Sequence, residues 1–167
     1  EIPVVSGGQG IMGFVGQSNR EANTITIAQY GAAGFVNWQD TPFWANDVCL
    51  SAVSLSDSLN YRYLYHFLKA RQELLYEMSN RVAVPYSIDV KRVLAIRIPL
   101  PPLEVQKEIV SILDKFTQLE AELEAELDDR RAQYEVTRDR LLDFSSDLEA
   151  HPLKELIHEH SPEGVTY

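Results

Sequence analysis

The strongest constraint on this chain is a long segment, residues 103–148, that contains neither glycine nor proline. Pro101 and Pro102 come just before it, and proline is tolerated in the first turn of a helix because it loses no hydrogen bond there. A helix of that span is about 65 Å long at 1.5 Å per residue. Residues 1–100 cannot cover such a helix along its whole length, so we expect it to pair with a partner helix.

The apolar residues of this segment favour a coiled coil. They recur in alternating steps of three and four residues, which is the a/d spacing of a heptad. An extra step of four residues from Leu123 to Leu127 interrupts the heptads, as a stutter does. Polar residues at Arg130 and Thr137 weaken the seam but fix its register. The alternative is a helix that packs on its own domain. The predicted seam consists of Ile109, Ile112, Phe116, Leu119, Leu123, Leu127, Tyr134 and Leu141, and it continues to Phe144 and Leu148.

The chain before Pro101 follows a different pattern. Residues 24–27 alternate with period two, as a half-buried strand does, and residues 35–36, 48–50 and 93–98 are also predicted strands. Asn60 is a candidate N-cap for a helix of about four turns. We therefore predict an α+β fold, with a globular mixed α/β domain followed by a long coiled-coil α-helix. The predicted boundaries are residues 1–100 for the domain, 101–149 for the helix and 150–167 for a tail.

The charge distribution bears on whether this domain could meet DNA. The formal net charge of −10 argues against a nucleic-acid binder, whose surface is usually basic. Residues 1–103, however, contain 8 basic and 8 acidic residues, whereas residues 104–167 contain 7 basic and 17 acidic residues. The acidity therefore belongs to the C-terminal segment, where acids on a long helix form a solvated face. The first hundred residues remain free to meet a phosphate backbone.

Motifs that would indicate chemistry are weak or absent. Residues 8–13 match the glycine pattern of a dinucleotide site, but no βαβ pattern surrounds them, so a turn or a loop close to a ligand backbone is the better interpretation. His158 and His160 are two residues apart and do not share a helix face. His151 lies upstream, but no third ligand stands at a recognised metal spacing. There is no nucleophile motif and no methyltransferase signature. We predict a protein that is not an enzyme and that binds no cofactor or metal.

Polar residues in predicted loops and at the ends of elements form a candidate binding surface. Arginine, asparagine and glutamine can bond base edges through two hydrogen bonds, while serine and lysine suit phosphates. The alternative is that these side chains are merely solvated. The predicted DNA contacts are Asn19, Arg20, Asn37, Gln39, Arg81, Tyr86, Ser87 and Lys91.

The single cysteine and the polar character of the uncharged runs bear on location. Cys49 has no partner in the chain for a disulfide, which fits a reducing cytoplasm. The uncharged run at residues 22–39 is too rich in polar residues to span a bilayer, which needs about 20 predominantly apolar residues. We expect a cytoplasmic protein without a membrane anchor.

Residues 96–110, with the sequence IRIPLPPLEVQKEIV, carry a specific resemblance. They resemble the junction between a target recognition domain and a conserved spacer helix in the specificity subunits of type I restriction–modification systems. In that family a strand ending in IPLPPL precedes a helix that opens with a Q-x-x-I-V pattern. The helix resemblance continues at residues 112–116, 126–134 and 138–142. Residues 4–8, 30–36 and 63–65 resemble the family's recognition domains.

The resemblance implies a function in DNA recognition. Such subunits carry two recognition domains, each reading half of a bipartite site in double-stranded DNA, and two antiparallel helices set their separation. They have no catalytic activity and dock modification subunits that methylate adenine using S-adenosylmethionine, and restriction subunits join the larger complex.

Only one recognition domain and one helix are present here, and residues 153–167 resemble the lead-in to a next domain. We therefore expect a fragment or a half-length subunit that forms an antiparallel homodimer through the helix. The alternative is a truncated protein, regulatory in role, that dimerises and docks the modification subunit but does not bind DNA.

Overall fold

The computed structural model describes residues 1–52, 56–82, 84–143 and 151, which form two three-stranded sheets and four helices. The strands are β1 (Ile2–Val5), β2 (Gly13–Val15), β3 (Thr24–Ala28), β4 (Val36–Gln39), β5 (Trp44–Ala45) and β6 (Cys49–Ser51). The helices are α1 (Tyr61–Lys69), α2 (Gln72–Met78), α3 (Val90–Leu94) and α4 (Leu103–Leu142). Small sheets followed by a long C-terminal helix confirm the predicted α+β fold class.

The two sheets differ in strand direction. In the first sheet, with the order β2-β1-β5, β1 is antiparallel to β2 and parallel to β5. In the second sheet, with the order β4-β3-β6, both pairs are antiparallel. Residues 6–12 connect β1 to β2, so the glycine-rich residues 8–13 lie in a hairpin and not between a strand and a helix.

The second sheet has an apolar face and a polar face. Ile25 and Ile27 of β3 are buried in the main core, together with Phe67 of α1 and Leu75 of α2. Because successive residues of a strand point to opposite faces, Thr26 projects away from this core. The polar face therefore lies opposite the helices.

The single helix predicted after Asn60 is two helices in the structure. The side chain of Asn60 caps α1 by accepting a hydrogen bond of 3.0 Å from the Tyr63 amide, as expected. Arg71, at φ −111° and ψ 23°, leaves the helical region and separates α1 from α2. The side-chain amide of Gln72, at the start of α2, donates from Nε2 to Gly34 O at 2.7 Å. Its Oε1 accepts from Val36 N at 2.9 Å. These bonds tie α2 to the connection between β3 and β4.

The strand predicted at residues 93–98 is wrong. Val90–Leu94 form helix α3, whose N-cap, Asp89, accepts a hydrogen bond of 2.9 Å from the Lys91 amide. The following residues, 95–102, form no strand. Ile96 and Ile98 are half-buried and pack against the main core, which explains the period-two pattern in the sequence without a ladder partner.

Helix α4 confirms the predicted long helix, which ends at Leu142 within the described residues. The chain divides into two compact units, Glu1–Thr117 and Gln118–Tyr167. In the second unit, every residue of α4 from Gln118 to Leu142 is exposed. The predicted seam residues Phe144 and Leu148 lie outside the described residues, as does the predicted tail apart from His151.

Across the described residues, no helix has both the length and the apolar character that crossing a membrane requires.

Candidate nucleic-acid interface

A cleft of about 100 Å³ lies between the polar face of the second sheet and the β1–β2 hairpin. Thr26, Asn37 and Gln39 form its sheet side, and the register places Thr26 directly opposite Asn37. Gln39 donates from Nε2 to Thr26 Oγ1 at 3.1 Å. Thr26 Oγ1 also lies 3.4 Å from the main-chain oxygen of Asn37, within donating distance. Two of the predicted DNA contacts, Asn37 and Gln39, are therefore brought together on one face of β4.

The hairpin side of the cleft was not predicted as a contact surface. Gln9 and Ile11 line it, and neither was a candidate in the sequence because glycines surround them and suggested only a turn. Ile11, Met12 and Phe14 are 59%, 67% and 58% exposed. Such exposed apolar side chains next to a polar cleft can contact a partner's apolar groups.

Cys49 also lines the cleft, and it is uncharged at neutral pH. Burial raises the pKa of this thiol to about 11, although the positive charge of Arg20 opposes the rise. Cys49 therefore behaves as a small apolar residue in the wall and not as a nucleophile.

Asn19 and Arg20 lie in the connection between β2 and β3. The Asn19 amide is occupied, because Nδ2 donates to Ala45 O at 2.9 Å and Oδ1 accepts from Ala45 N at 2.6 Å. Arg20 Nε donates to Ser51 Oγ at 2.7 Å, and Ser51 stands opposite Thr26 in the β3–β6 register. Arg20 is thus exposed beside the polar face of the second sheet, whereas the side chain of Asn19 holds β5 in place.

Arg81, Tyr86 and Ser87 form a separate group after α2. The Arg81 guanidinium carbon lies 4.6 Å from the Tyr76 ring centroid and 5.5 Å from that of Tyr86, and all three side chains are at the surface or half-buried. The main chain of Ser87 forms bridges to Tyr30 and to Asn80. This group borders an open groove that Ser87 and Asn80 line.

Lys91 is exposed on α3, two residues after its N-cap. The eight predicted contacts therefore fall into a cleft group (Asn37, Gln39 and, beside them, Arg20), a loop group (Arg81, Tyr86, Ser87), and two residues, Asn19 and Lys91, in other settings. No single cavity gathers them, and their contact with DNA stays a prediction.

Gln106 at the start of α4 is the glutamine of the Q-x-x-I-V pattern, and it is a structural residue that was not among the predicted site residues. Its side chain is fully buried, with Oε1 accepting from Asn60 N at 2.8 Å and Nε2 donating to Ser58 O at 2.9 Å and to Pro101 O at 2.7 Å. A glutamine in a helix ordinarily faces solvent, so residue type alone gave no signal. The amide joins α4 to the beginning of α1.

Asp114, two turns further along α4, makes a second attachment to α1. Its Oδ1 accepts from Arg62 Nε at 2.9 Å and lies 2.7 Å from His66 Nε2. Burial alone would raise the pKa of Asp114, but the bonds with His66 and Arg62 outweigh it and hold the pKa below its ordinary value. Arg62 also lies over the rings of Trp38 and Tyr65, at 4.6 and 4.8 Å.

The predicted seam residues are largely exposed. Ile109 is half-buried, but Ile112, Phe116 and Leu119 are 49%, 65% and 52% exposed, and the later members of the row continue in the same way. The later members are Leu123, Leu127, Tyr134 and Leu141. Leu123 and Leu127 line a shallow groove with Glu126 and Arg130. A partner helix on this row stays a prediction.

In the described part of the chain, no group of three or more histidine, cysteine, aspartate or glutamate side chains could hold a metal ion. His158 and His160 lie outside the described residues.

Comparison of the sequence with known families gives one consistent match. The model of the type I restriction modification DNA specificity domain matches residues 1–129. A putative type I restriction enzyme specificity subunit of Haemophilus influenzae is 34% identical over 150 residues, which are 83% of this chain and 38% of that protein. A type I restriction enzyme specificity subunit of Escherichia coli is 32% identical over 156 residues, which are 86% of this chain and 37% of that protein.

Comparison of the structure agrees in fold. The crystal structure of a type I restriction–modification system S subunit from M. genitalium superimposes with a TM-score of 0.61 at 24% identity. The match covers 79% of this chain and 37% of that chain. This chain therefore spans less than two fifths of the length of the relatives it matches.

Proposed function

This chain belongs to the family of type I restriction–modification DNA specificity domains, and we propose that it reads one half of a bipartite site in double-stranded DNA. In this proposal residues 1–100 recognise the DNA, residues 101–149 form the spacer helix, and residues 150–167 lead into a next recognition domain. The chain itself catalyses nothing. It docks modification subunits that methylate adenine, and restriction subunits join the larger complex in the cytoplasm.

The pair Asn37 and Gln39 is the observation that carries this proposal. Both side chains stand on one face of β4 and line the same cleft. The Asn37 amide makes no hydrogen bond to any described residue, and Gln39 uses only its Nε2. Amides with free donors and acceptors, held on a strand and not on a mobile chain, suit the direct reading of base edges.

The loop group supplies groups for the DNA backbone. Arg81 is exposed, and two tyrosine rings restrict its side chain. Phosphate contacts position a protein on the duplex without reading its sequence. In our proposal Arg81 and Lys91 bind phosphates of the DNA. Tyr86 and Ser87 hold the loop that carries Arg81 against the DNA backbone.

Mapping methylation tests the proposal directly. The chain would be expressed with its modification subunit in a host that lacks other adenine methylation, and methylated adenines would be mapped across the host genome. A new methylated motif is expected, and Asn37→Ala with Gln39→Ala should abolish or relax it. Gln17→Ala is the control for an altered amide outside the cleft, because Gln17 is exposed and lines a groove with Val15 and Trp44.

The competing function is that of a regulatory protein that dimerises and docks the modification subunit without binding DNA productively. The acidity of residues 104–167 favours it, whereas the exposed apolar row of α4 fits a partner helix in both functions. A stable complex with the modification subunit that produces no methylated motif would establish this second function and contradict the first.

A further inference from the structure

We propose that the cleft between the β1–β2 hairpin and the second sheet reads A·T base pairs through the major groove. The hairpin is then half of the reading surface and not merely a turn. This inference rests on the proposed function and makes it specific, because it names the base pair that the cleft accepts.

Three amide side chains surround the cleft. Gln9 comes from the hairpin, and Asn37 and Gln39 come from β4. Gln9 and Asn37 make no side-chain hydrogen bond to any described residue, and Gln39 has its oxygen free. An amide matches adenine in the major groove, since it donates to N7 and accepts from the N6 amino group at the same time.

The lining of the cleft lacks the groups that read G·C pairs. Guanine is read mainly by arginine or lysine, and cytosine by aspartate or glutamate. None of the described residues that line the cleft carries a charge at neutral pH, and Cys49 stays protonated there. The lining residues therefore favour adenine over guanine and cytosine, and in our proposal Arg20 beside the cleft binds phosphate and not guanine.

The apolar residues of the hairpin suit thymine. Phe14 pairs with Pro3, and Pro3 lies on the same face of β1 as Val5, which lines the cleft. Phe14 therefore projects from the cleft side of the hairpin, and Ile11 lines the cleft itself. Apolar side chains recognise the thymine methyl group, which only A·T pairs present in the major groove.

The dimensions and surroundings of the cleft fit the edge of a base pair that approaches from outside the protein. Its volume of about 100 Å³ is well below the roughly 300–1,000 Å³ of pockets that enclose small ligands. Gly10 and Gly13 have open space where a Cβ would stand, so packing does not require glycine there, and the bare backbone keeps the hairpin narrow. Arg20 lies beside Ser51 at one side, and Lys69 Nζ lies 4.8 Å from the ring of Phe35, a lining residue. Each cation lies close to residues beside the cleft and can meet a phosphate there.

Base analogues test the assignment once the methylated motif is known. The complex of the chain with its modification subunit would be titrated by fluorescence anisotropy with a duplex that carries the motif. Base analogues would replace single bases at A·T pairs other than the methylated one. In place of adenine, 7-deazaadenine lacks N7, and in place of thymidine, deoxyuridine lacks the methyl group. We expect 7-deazaadenine to weaken wild-type binding about five- to 150-fold at one such pair, and deoxyuridine to weaken it about fourfold.

Variants link each loss to its residue. Asn37→Ala and Gln9→Ala should bind more weakly and no longer respond to 7-deazaadenine, whereas Ile11→Ala with Phe14→Ala should no longer respond to deoxyuridine. Gln17→Ala is the matched control, because Gln17 is an exposed glutamine that lines a groove with Val15 and Trp44 and not the cleft. Unchanged circular dichroism and melting temperature would show that these surface variants fold.

The outcomes separate this inference from the function on which it rests. A wild-type complex that yields no motif and binds no duplex overturns the proposed function, and the inference with it. A motif whose only A·T pairs are the methylated ones, or analogues that weaken wild type and variants alike, overturns the A·T assignment alone. The hairpin variants could instead fail to bind the modification subunit while their responses to the base analogues stay intact. That result would show that the hairpin contacts protein and not DNA, and it too would overturn the A·T assignment.

Discussion

Gln106 shows how one polar side chain can fix the start of a long helix. Its amide satisfies one main-chain N–H, on Asn60, and two main-chain oxygens, on Ser58 and Pro101, in a fully buried position. A buried donor or acceptor that loses its partner costs about 1–3 kcal/mol, because water cannot replace the lost bond. The helix junction therefore depends on the amide and not on the volume of the side chain.

Gln106→Met keeps the approximate length of the side chain but removes all three hydrogen bonds. We expect the free energy of unfolding to fall by about 2–4 kcal/mol, since several main-chain groups are left unsatisfied. Urea denaturation followed by circular dichroism measures the change. Gln118→Met is the control, because Gln118 is exposed on the same helix and bonds only to Glu122. Equal midpoints for the two variants would contradict the role assigned to Gln106.

Asp114 predicts a stability difference that depends on pH. The contacts with Arg62 and His66 lower the folded-state pKa of Asp114 below its ordinary value of 3.8. A lowered pKa means that the carboxylate stabilises the fold fully above the ordinary value, and that this contribution is lost as the pH falls through the lowered one. Asp114→Asn should therefore be less stable than wild type at neutral pH and equally stable in strong acid.

The expected difference at neutral pH is about 1 kcal/mol or less, because the Asp114 side chain is 40% exposed and solvent screens the pair. Denaturation midpoints of wild type and Asp114→Asn across a pH series measure it. Asp129→Asn, on an exposed aspartate of the same helix, should show no comparable convergence. A difference that persists unchanged into strong acid would refute the ionic explanation.

At the scale of elements, the sequence predicted what local patterns determine. The absence of glycine and proline after Pro102 predicted α4, the alternation at residues 24–27 predicted β3, and Asn60 was correctly identified as an N-cap. The error at residues 93–98 has a physical cause. Half-buried Ile96 and Ile98 produce the same alternation as a strand, and local periodicity cannot reveal whether a neighbouring strand exists.

The cleft could not be predicted from the sequence for a related reason. Asn37 and Gln39 were named because amides suit base edges, but Gln9 is far from them in the chain, and only the packing of the hairpin on the sheet makes it a neighbour. Gln106 belongs to the Q-x-x-I-V pattern, but its burial could not be predicted, because it follows from contacts with residues more than 40 positions away. Asn19 was named for its amide, yet that amide is bonded to Ala45 in a contact that the sequence does not signal.

Helix α4 predicts self-association through its apolar row. Leu123 and Leu127 are 65% and 49% exposed, and apolar residues in a heptad pattern gain stability when a second helix covers them. We expect the chain to form dimers, and Leu123→Gln with Leu127→Gln to shift it to monomers in sedimentation equilibrium. Val136→Gln is the control, since Val136 is 70% exposed on the same helix but lies outside the predicted seam. A wild-type mass that stays monomeric at all concentrations would contradict the prediction.

At the scale of the whole molecule, a dimer of identical chains restricts the DNA site. A two-fold pair presents the same reading surface twice in opposite directions, so the symmetry of the protein is copied in the site. The methylated motif should then be palindromic, with two identical half-sites and a fixed spacer. A motif with two different halves would indicate that a second, different recognition domain takes part.

If the helices pair in this way, we expect their length to set the length of the spacer. Inserting one heptad after Leu127 keeps the a/d pattern and lengthens the helix by about 10 Å at 1.5 Å per residue. One base pair occupies 3.4 Å along the duplex, so the unread spacer should grow by about three base pairs while both half-sites stay the same. Methylation mapping of the insertion variant measures this, and a same-length replacement of residues 128–134 by another heptad controls for the change of sequence. A spacer of unchanged length in the insertion variant would show that the helices do not determine the separation, and that the DNA or the modification subunits determine it instead.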